Sequence, residues 1–337
     1  MAGSTVEGWV RVETGWSWSG LTAVVLCSDR LQVVVLPELG GRVWQITDQL
    51  SGRRLLWHHP RLRPAPVAFG AGYDDHFIGG WDELFPNDVP EELAGEAFPD
   101  HGEGWSERWE WEVLSGADAA VRLWLDTRIS ASRLVRTIRL APGADAIEVG
   151  VEVSNGSGRS LPMMHKQHLA VPLRAGSRID LPGSQVEIGD FGRPRWGAAG
   201  DRFAWPGPSA GDGADFSAPA PDGTAELLFA GGLEAGWCAC TDADGVGIGL
   251  SFDPAVYPAC WTFGSWHGWR GLDVAVLEPC TGVGLSVAAG QADGRHRALA
   301  PGETLRTTVS AVVYRGLSRI ERISGHGRDC VVKGVPL

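Results

Sequence analysis

Ile147-Glu148-Val149-Gly150-Val151-Glu152-Val153-Ser154-Asn155-Gly156 alternates apolar with polar or small residues until the Ser-Asn-Gly cluster ends the run. A side-chain period of two marks a strand with one buried face and one wet face, and Asn-Gly supplies the turn that stops it. The same rhythm carries Val121, Leu123 and Leu125 against Arg122 and Asp126. It also carries Trp105, Trp109, Trp111 and Val113 against Arg108, Glu110 and Glu112. Further strands are expected near 21–27, 31–36, 42–47, 225–230, 236–240, 246–252, 272–278 and 305–314. Short turns such as Ala141-Pro142-Gly143-Ala144-Asp145 join them. So many strands with turns of this kind predict an all-β protein, a large antiparallel β-sandwich. Only Leu317 to Ile323 shows a short helical pattern. With no internal repeat and no dividing linker, residues 1–337 are read as a single domain, a size that large sandwiches reach.

Composition narrows the function. Twenty-nine Lys and Arg against 41 Asp and Glu give a net charge of −12, without a basic cluster, so neither nucleic acid nor an anionic membrane is an expected partner. Apolar runs such as Leu21 to Cys27 are too short to cross a bilayer. Met1 to Glu7 shows neither the basic nor the apolar region of a secretion signal, and the six cysteines form no Cys-x-x-Cys pair. A cytoplasmic location is expected, with Cys238 and Cys240 as small core residues on one strand face.

Chemistry is concentrated in three places. In Val274-Ala275-Val276-Leu277-Glu278-Pro279, one carboxylate ends an apolar strand; burial there would raise its pKa toward that of a useful general base. Residues 58–104 are rich in His, Asp, Glu, Trp and Gly and are expected to cover a site, whereas 206–224 reads as a surface excursion. Pro162-Met163-Met164-His165-Lys166-Gln167-His168 brings two imidazoles close together. Strand alternation puts His165 and His168 on opposite faces, so one of them enters a site. Trp261, Phe263, Trp266 and Trp269 offer a stacking platform just before the Glu278 strand.

Gly40-Gly41-Arg42-Val43, Gly79-Gly80-Trp81-Asp82-Glu83-Leu84-Phe85-Pro86, Asp100-His101-Gly102-Glu103-Gly104-Trp105, the His165–His168 block and Leu277-Glu278-Pro279 follow one another in an informative order. In that order the chain resembles the aldose 1-epimerase (galactose mutarotase)-like family, and within it a poorly characterised branch. The resemblance implies a supersandwich with a concave sugar-binding face and a cofactor-free acid–base pair that opens and recloses a pyranose. By position, Glu278 matches the base, His168 the acid and His101 a histidine near the ring oxygen. His168 departs from the pattern in preceding Leu169 rather than proline, which leaves His165 as a competing imidazole. The expected partner is a small-molecule sugar, bound by a monomer or homodimer. Candidate substrate-binding residues are Arg42, Trp81, Asp82, Glu83, Glu103, His165 and Trp266. Three other chemistries remain open: a metal site on His101, His165, His168 and Glu278, which lacks the compact His-x-His of cupins; a non-catalytic carbohydrate-binding protein; and a glycoside hydrolase or lyase pairing Asp82 or Glu83 with Glu278.

Overall fold

The computed structural model describes residues 8–208 and 214–337. Met1 to Glu7, on which the expectation of no secretion signal rested, lies outside the described residues, as do 209–213 of the surface excursion. Among the described residues, the alternating segments pair antiparallel into two large sheets. The larger runs in the order Val10–Trp18, Leu21–Ser28, Leu31–Leu36, Arg42–Asp48, Trp81–Leu84, Lys166–Pro172, Asp273–Cys280, Ala259–Trp266, Thr224–Gly231, Gln185–Ile188, Arg202–Ala204. The smaller runs Arg178–Asp180, Trp237–Thr241, Gly247–Phe252, Thr304–Tyr314, Ala146–Asn155, Ser132–Leu140, Ala119–Asp126, Glu110–Leu114. The opening stretch forms the Ala146–Asn155 strand, paired with Ser132–Leu140 on one side and Thr304–Tyr314 on the other. No helix among the described residues is long and apolar enough to cross a membrane.

Apolar positions facing inward from both sheets merge into one core in which Leu169 and Leu277 share a cluster with Ile138, Val149 and Val309. A separate cluster of Leu84, Ala170, Val274 and Val276, with Tyr73 and Phe77 laid over it, covers the opposite side of the large sheet. Cys238 and Cys240 belong to the main core on one face of their strand, while Trp237 and Ala239 belong to another cluster.

Two local expectations are corrected. Leu317–Ser324 is a strand paired with Val331–Pro336. Bulges between Leu317 and Arg319 and between Ile320 and Arg322 insert extra residues, so Ile320 and Ile323 are both buried at a spacing of three that mimics a helix. The tryptophan-rich run forms a strand only over Glu110–Leu114. Trp105 and Trp109 are buried from the preceding loop, where their indole N–H groups donate to the Asp100 and Gly104 carbonyls.

A polar knot sits between the sheets. Arg136, on Ser132–Leu140 of the smaller sheet, lies 3.2 Å from Glu83 of the larger one, and both side chains are wholly buried. His165 Nε2 is 2.9 Å from the other Glu83 oxygen, and the Tyr257 hydroxyl lies 3.0 Å from His165 Nδ1. Trp81 donates to Gln167 at 2.8 Å, and the Arg136 guanidinium stands 5.5 Å from the Trp81 ring centroid. Breaking a buried pair leaves an uncompensated charge, which costs about 3–5 kcal/mol. Arg136→Met is therefore expected to lower stability by that order, read as a fall in the urea midpoint with an unchanged slope; a midpoint equal to wild type would show that the pair is dispensable.

Candidate active site

Strand register assembles the site. Asp82 pairs with His168, and Trp261 pairs with Glu278. Lys166↔Cys280 and Leu169↔Leu277 bracket the remaining pair and set His168 opposite Glu278. Four adjacent strands thus carry a row of Asp82, His168, Glu278 and Trp261 on one face. The next row, Trp81, Leu169, Leu277 and Thr262, turns to the other face, as period-two alternation requires. Lys166, two residues before His168, shares its face.

Above this row lies a cavity of about 260 Å³. The sheet supplies Lys166, His168, Leu227, Trp261, Phe263, Val276 and Glu278; the covering loop supplies Tyr73, Asp74, Phe77, Asp88, Asp100 and His101. His101 has φ +58 and Gly102 φ +76. A Cβ on Gly102 would stand 2.0 Å from the Phe85 carbonyl oxygen, so only glycine lets the loop turn back on the sheet and aim His101 inward.

Opposite charges alternate around the wall. The Lys166 ammonium lies 2.7 Å from Glu278 Oε2 and 3.3 Å from Asp88 Oδ2, over the Trp261 ring at 4.3 Å. Asp88 Oδ1 is 3.1 Å from His101 Nε2, and His101 Nδ1 is 2.8 Å from Asp100 Oδ1. The other Asp100 oxygen accepts the Tyr73 backbone N–H at 2.7 Å. The Tyr73 ring stacks on His101, with centroids 4.1 Å apart, and its hydroxyl donates to Asp82 Oδ2 at 2.6 Å. His168 Nδ1 is 3.1 Å from that hydroxyl.

These contacts split the ionisable groups. Burial lifts Glu278 above the usual carboxylate range against the pull of Lys166. Burial works against charge on Lys166, but Asp88 and Glu278 outweigh it and hold the ammonium above its ordinary pKa. Burial likewise opposes charge on His101, and Asp88 and Asp100 override it, raising His101. His168 goes the other way: burial first, then Lys166, His101 and Arg42, drive it well below the ordinary imidazole value.

Glu278, His168 and His101 meet in this cavity, with Trp261, Phe263 and Trp269 forming its aromatic side. The remaining candidates lie elsewhere. Arg42 is buried beneath Tyr73, held to Asp82 Oδ1 at 2.7 Å and donating to the Gly79 carbonyl at 2.6 Å. Asp82 faces the same side as His168 but is capped by Tyr73. Trp81, Glu83 and His165 belong to the polar knot between the sheets, on the opposite face of the same strands. Glu103 accepts the backbone N–H groups of Ile129 and Ser130, fastening a loop. Trp266 packs against the Arg195 guanidinium at 5.2 Å, away from the cavity. Tyr73, Phe77, Asp88, Asp100 and Lys166 line the site without having been singled out. For Lys166 the signal was present, because its spacing from His168 fixes its face. No cluster of three or more His, Cys, Asp and Glu suited to a metal ion occurs among the described residues.

No family model and no curated protein matches the chain by sequence. Solved structures do match its fold. A galactose mutarotase-like protein from Clostridium acetobutylicum aligns over 92% of this chain and 99% of its own, at 14% identity and a TM-score of 0.65. A protein from Klebsiella pneumoniae, provisionally named an aldose 1-epimerase, aligns over 91% and 83%, at 16% identity and a TM-score of 0.69. Another so named, from Escherichia coli, aligns over 91% and 100%, at 21% identity and a TM-score of 0.63. The chain therefore has the galactose mutarotase-like sandwich fold.

The raised pKa of His101 sets a pH dependence. A group raised in the folded state contributes stability that is fully present below its unfolded pKa, near 6.5, and is lost as pH rises through the higher folded value. The stability gap between wild type and His101→Gln is expected to be widest below pH 6.5 and to narrow above it. Chemical denaturation across that range checks this; a gap independent of pH would contradict a charged His101.

Proposed function

We propose that the protein is a mutarotase-type isomerase that interconverts the α and β anomers of a free reducing sugar without a cofactor, in the cytoplasm. One observation carries this reading: Glu278 and His168 stand opposite each other on neighbouring strands, beside one cavity, with pKa values displaced in opposite directions. Such a pair holds one proton to give and one place to receive it, which is what ring opening needs. One group takes the proton of the anomeric hydroxyl while the other protonates the ring oxygen. Rotation about C1–C2 and reversal of both steps close the other anomer. The fold shared with galactose mutarotase-like structures supports the same reading, and six free cysteine thiols suit a reducing compartment.

The wall chemistry favours an uncharged sugar. Both cavity cations are engaged by carboxylates: Lys166 by Glu278 and Asp88, His101 by Asp88 and Asp100. Of the four isolated arginines open to an anionic substituent, Arg42, Arg174 and Arg195 pair with Asp82, Asp242 and Glu226, while Arg193 has no carboxylate partner among the described residues. The aromatic side offers a face for C–H groups of a pyranose. A hydrolase built on Glu278 with Asp82 or Glu83 is disfavoured, since Tyr73 caps Asp82 and Glu83 lies between the sheets.

NMR exchange spectroscopy is expected to show faster α/β interconversion for neutral aldoses and none for hexose 6-phosphates or 6-sulfonates. Glu278→Gln is expected to reduce that acceleration by about 10²–10⁴-fold. A panel of neutral free aldoses left at their spontaneous rate would refute the reading.

A further inference from the structure

The cavity is polar at one end and apolar at the other, and strand register fixes the direction. Along Lys166–Pro172 the residues on the cavity side are Lys166, His168 and Ala170; the matching positions along Asp273–Cys280 are Cys280, Glu278 and Val276. Lys166, and through it Asp88 and His101, therefore lies on one side of the His168–Glu278 row. On the other side, one strand repeat or about 7 Å away, the register lines up Ala170, Val276, Phe263 and Leu227 across four adjacent strands. No side chain in that row can donate or accept a hydrogen bond.

Aromatic rings carry the apolar end out of the sheet. Phe191, Phe263, Trp269 and Phe77 follow one another with centroids 5.3, 5.5 and 6.1 Å apart. All four line the cavity, and Phe191, Phe263 and Trp269 are only half-buried, so apolar surface is left open to whatever enters. Of these rings only Trp269 carries a polar hydrogen. Ser265, the next same-face position after Phe263, is wholly buried and donates its hydroxyl to the Leu272 carbonyl at 2.7 Å. Asp74, the remaining acid of the wall, is exposed and adjoins Tyr73, whose ring stacks on His101.

A pyranose whose C1 and O5 meet Glu278 and His168 extends to both sides of that row, with C2 and its hydroxyl on one side and C5 and its substituent on the other. A hydroxyl sent into the apolar end would lose water and gain no partner, which is costly. The C2 hydroxyl therefore lies toward Lys166, Asp88 and His101, and the C5 substituent toward Val276, Phe263 and Leu227. We infer that the substrate is a 6-deoxyaldose, a neutral sugar with a methyl group at C5 in place of the hydroxymethyl; the placement of C1 and O5 rests on the mutarotase reading. A hydroxymethyl there would bury an unpaired hydroxyl. A hydrogen at C5, as in a pentose, would leave the apolar surface unfilled.

Triads of free sugars that share ring configuration and differ only at C5, in hydrogen, methyl or hydroxymethyl, test this. L-arabinose, D-fucose and D-galactose form one; D-xylose, D-quinovose and D-glucose another; the L-galacto and L-manno series complete the set. By NMR exchange, the 6-deoxy member of at least one triad is expected to exceed the hexose in kcat/KM by about 10–100-fold and the pentose by about tenfold. Equal values, or a hexose or pentose leading every triad, would overturn the inference and leave the mutarotase reading intact. Val276→Thr adds a hydroxyl at nearly constant shape and is expected to bring the 6-deoxy to hexose ratio down toward one. Because the ratio is taken within one preparation, loss of folded protein cancels; an unchanged ratio would overturn the placement of the C5 substituent at this row. If every sugar stays at its spontaneous rate, the mutarotase reading fails, and the same triads are read as binding constants through the fluorescence of Trp261 and Trp269. Tighter binding of a 6-deoxy member by the same factor would support the methyl site, and equal binding would overturn it.

Discussion

A side-chain period of two along Lys166–Pro172 divides the buried polar groups of this protein into two systems, and the rest of the structure is arranged to satisfy both. Lys166 and His168 point to the outer face of the large sheet, where the cavity lies. Gln167, with His165 just before the strand, points between the sheets, where Trp81, Tyr257 and the Glu83–Arg136 pair receive them. A register slip of one residue would put an ammonium into the apolar core and Leu169 into the cavity, losing every partner on both sides. The strand is therefore fixed by two penalties acting from opposite faces. His165 and His168, three residues apart, acquire unrelated roles from the same rule.

Within the cavity, contact rather than residue type sets the protonation states. His101 and His168 lie 6.4 Å apart, ring centre to ring centre, and burial opposes charge on both. His101 has a carboxylate at each nitrogen and is driven toward charge. His168 has a tyrosine hydroxyl at one nitrogen and faces three cations, and is driven away from charge. The same logic links Glu278 to Lys166: one ammonium serves two carboxylates, Glu278 and Asp88, so neither receives its full compensation.

Most of the fold was legible because alternation is a local signal with a fixed geometric consequence. The strands near 21–27, 31–36, 42–47 and 305–314 formed within a residue or two of their expected ends. The signal misled where local geometry broke the period, at the bulges that let Ile320 and Ile323 imitate a helix. Of the site, the sheet half was the readable half, since Glu278, His168 and Lys166 lie on strands whose faces follow from spacing. The loop half was not: Tyr73, Asp88 and Asp100 reach the cavity through turns such as the one at Gly102, which no periodicity encodes. Trp81, Asp82 and Glu83 show the limit from the other side. They are consecutive and all buried, yet only Asp82 faces the cavity side, and Tyr73 intervenes.

The covering loop is not an independent lid, because Asp100 ties its two functional rings together. One Asp100 oxygen meets His101 Nδ1 and the other accepts the Tyr73 backbone N–H, while the two rings stack face to face. The position of the Tyr73 hydroxyl over Asp82 and His168 thus depends on the carboxylate that also holds the His101 charge. Removing that charge weakens one of the two contacts of Asp100 and, through it, the anchor of Tyr73. His101 therefore acts on His168 by two routes: its charge opposes a proton on His168 directly, and its pairing with Asp100 helps to hold the Tyr73 hydroxyl 3.1 Å from His168 Nδ1. A histidine clamped between two carboxylates thus borders His168 both as a charge and as part of the frame that holds Tyr73 against it.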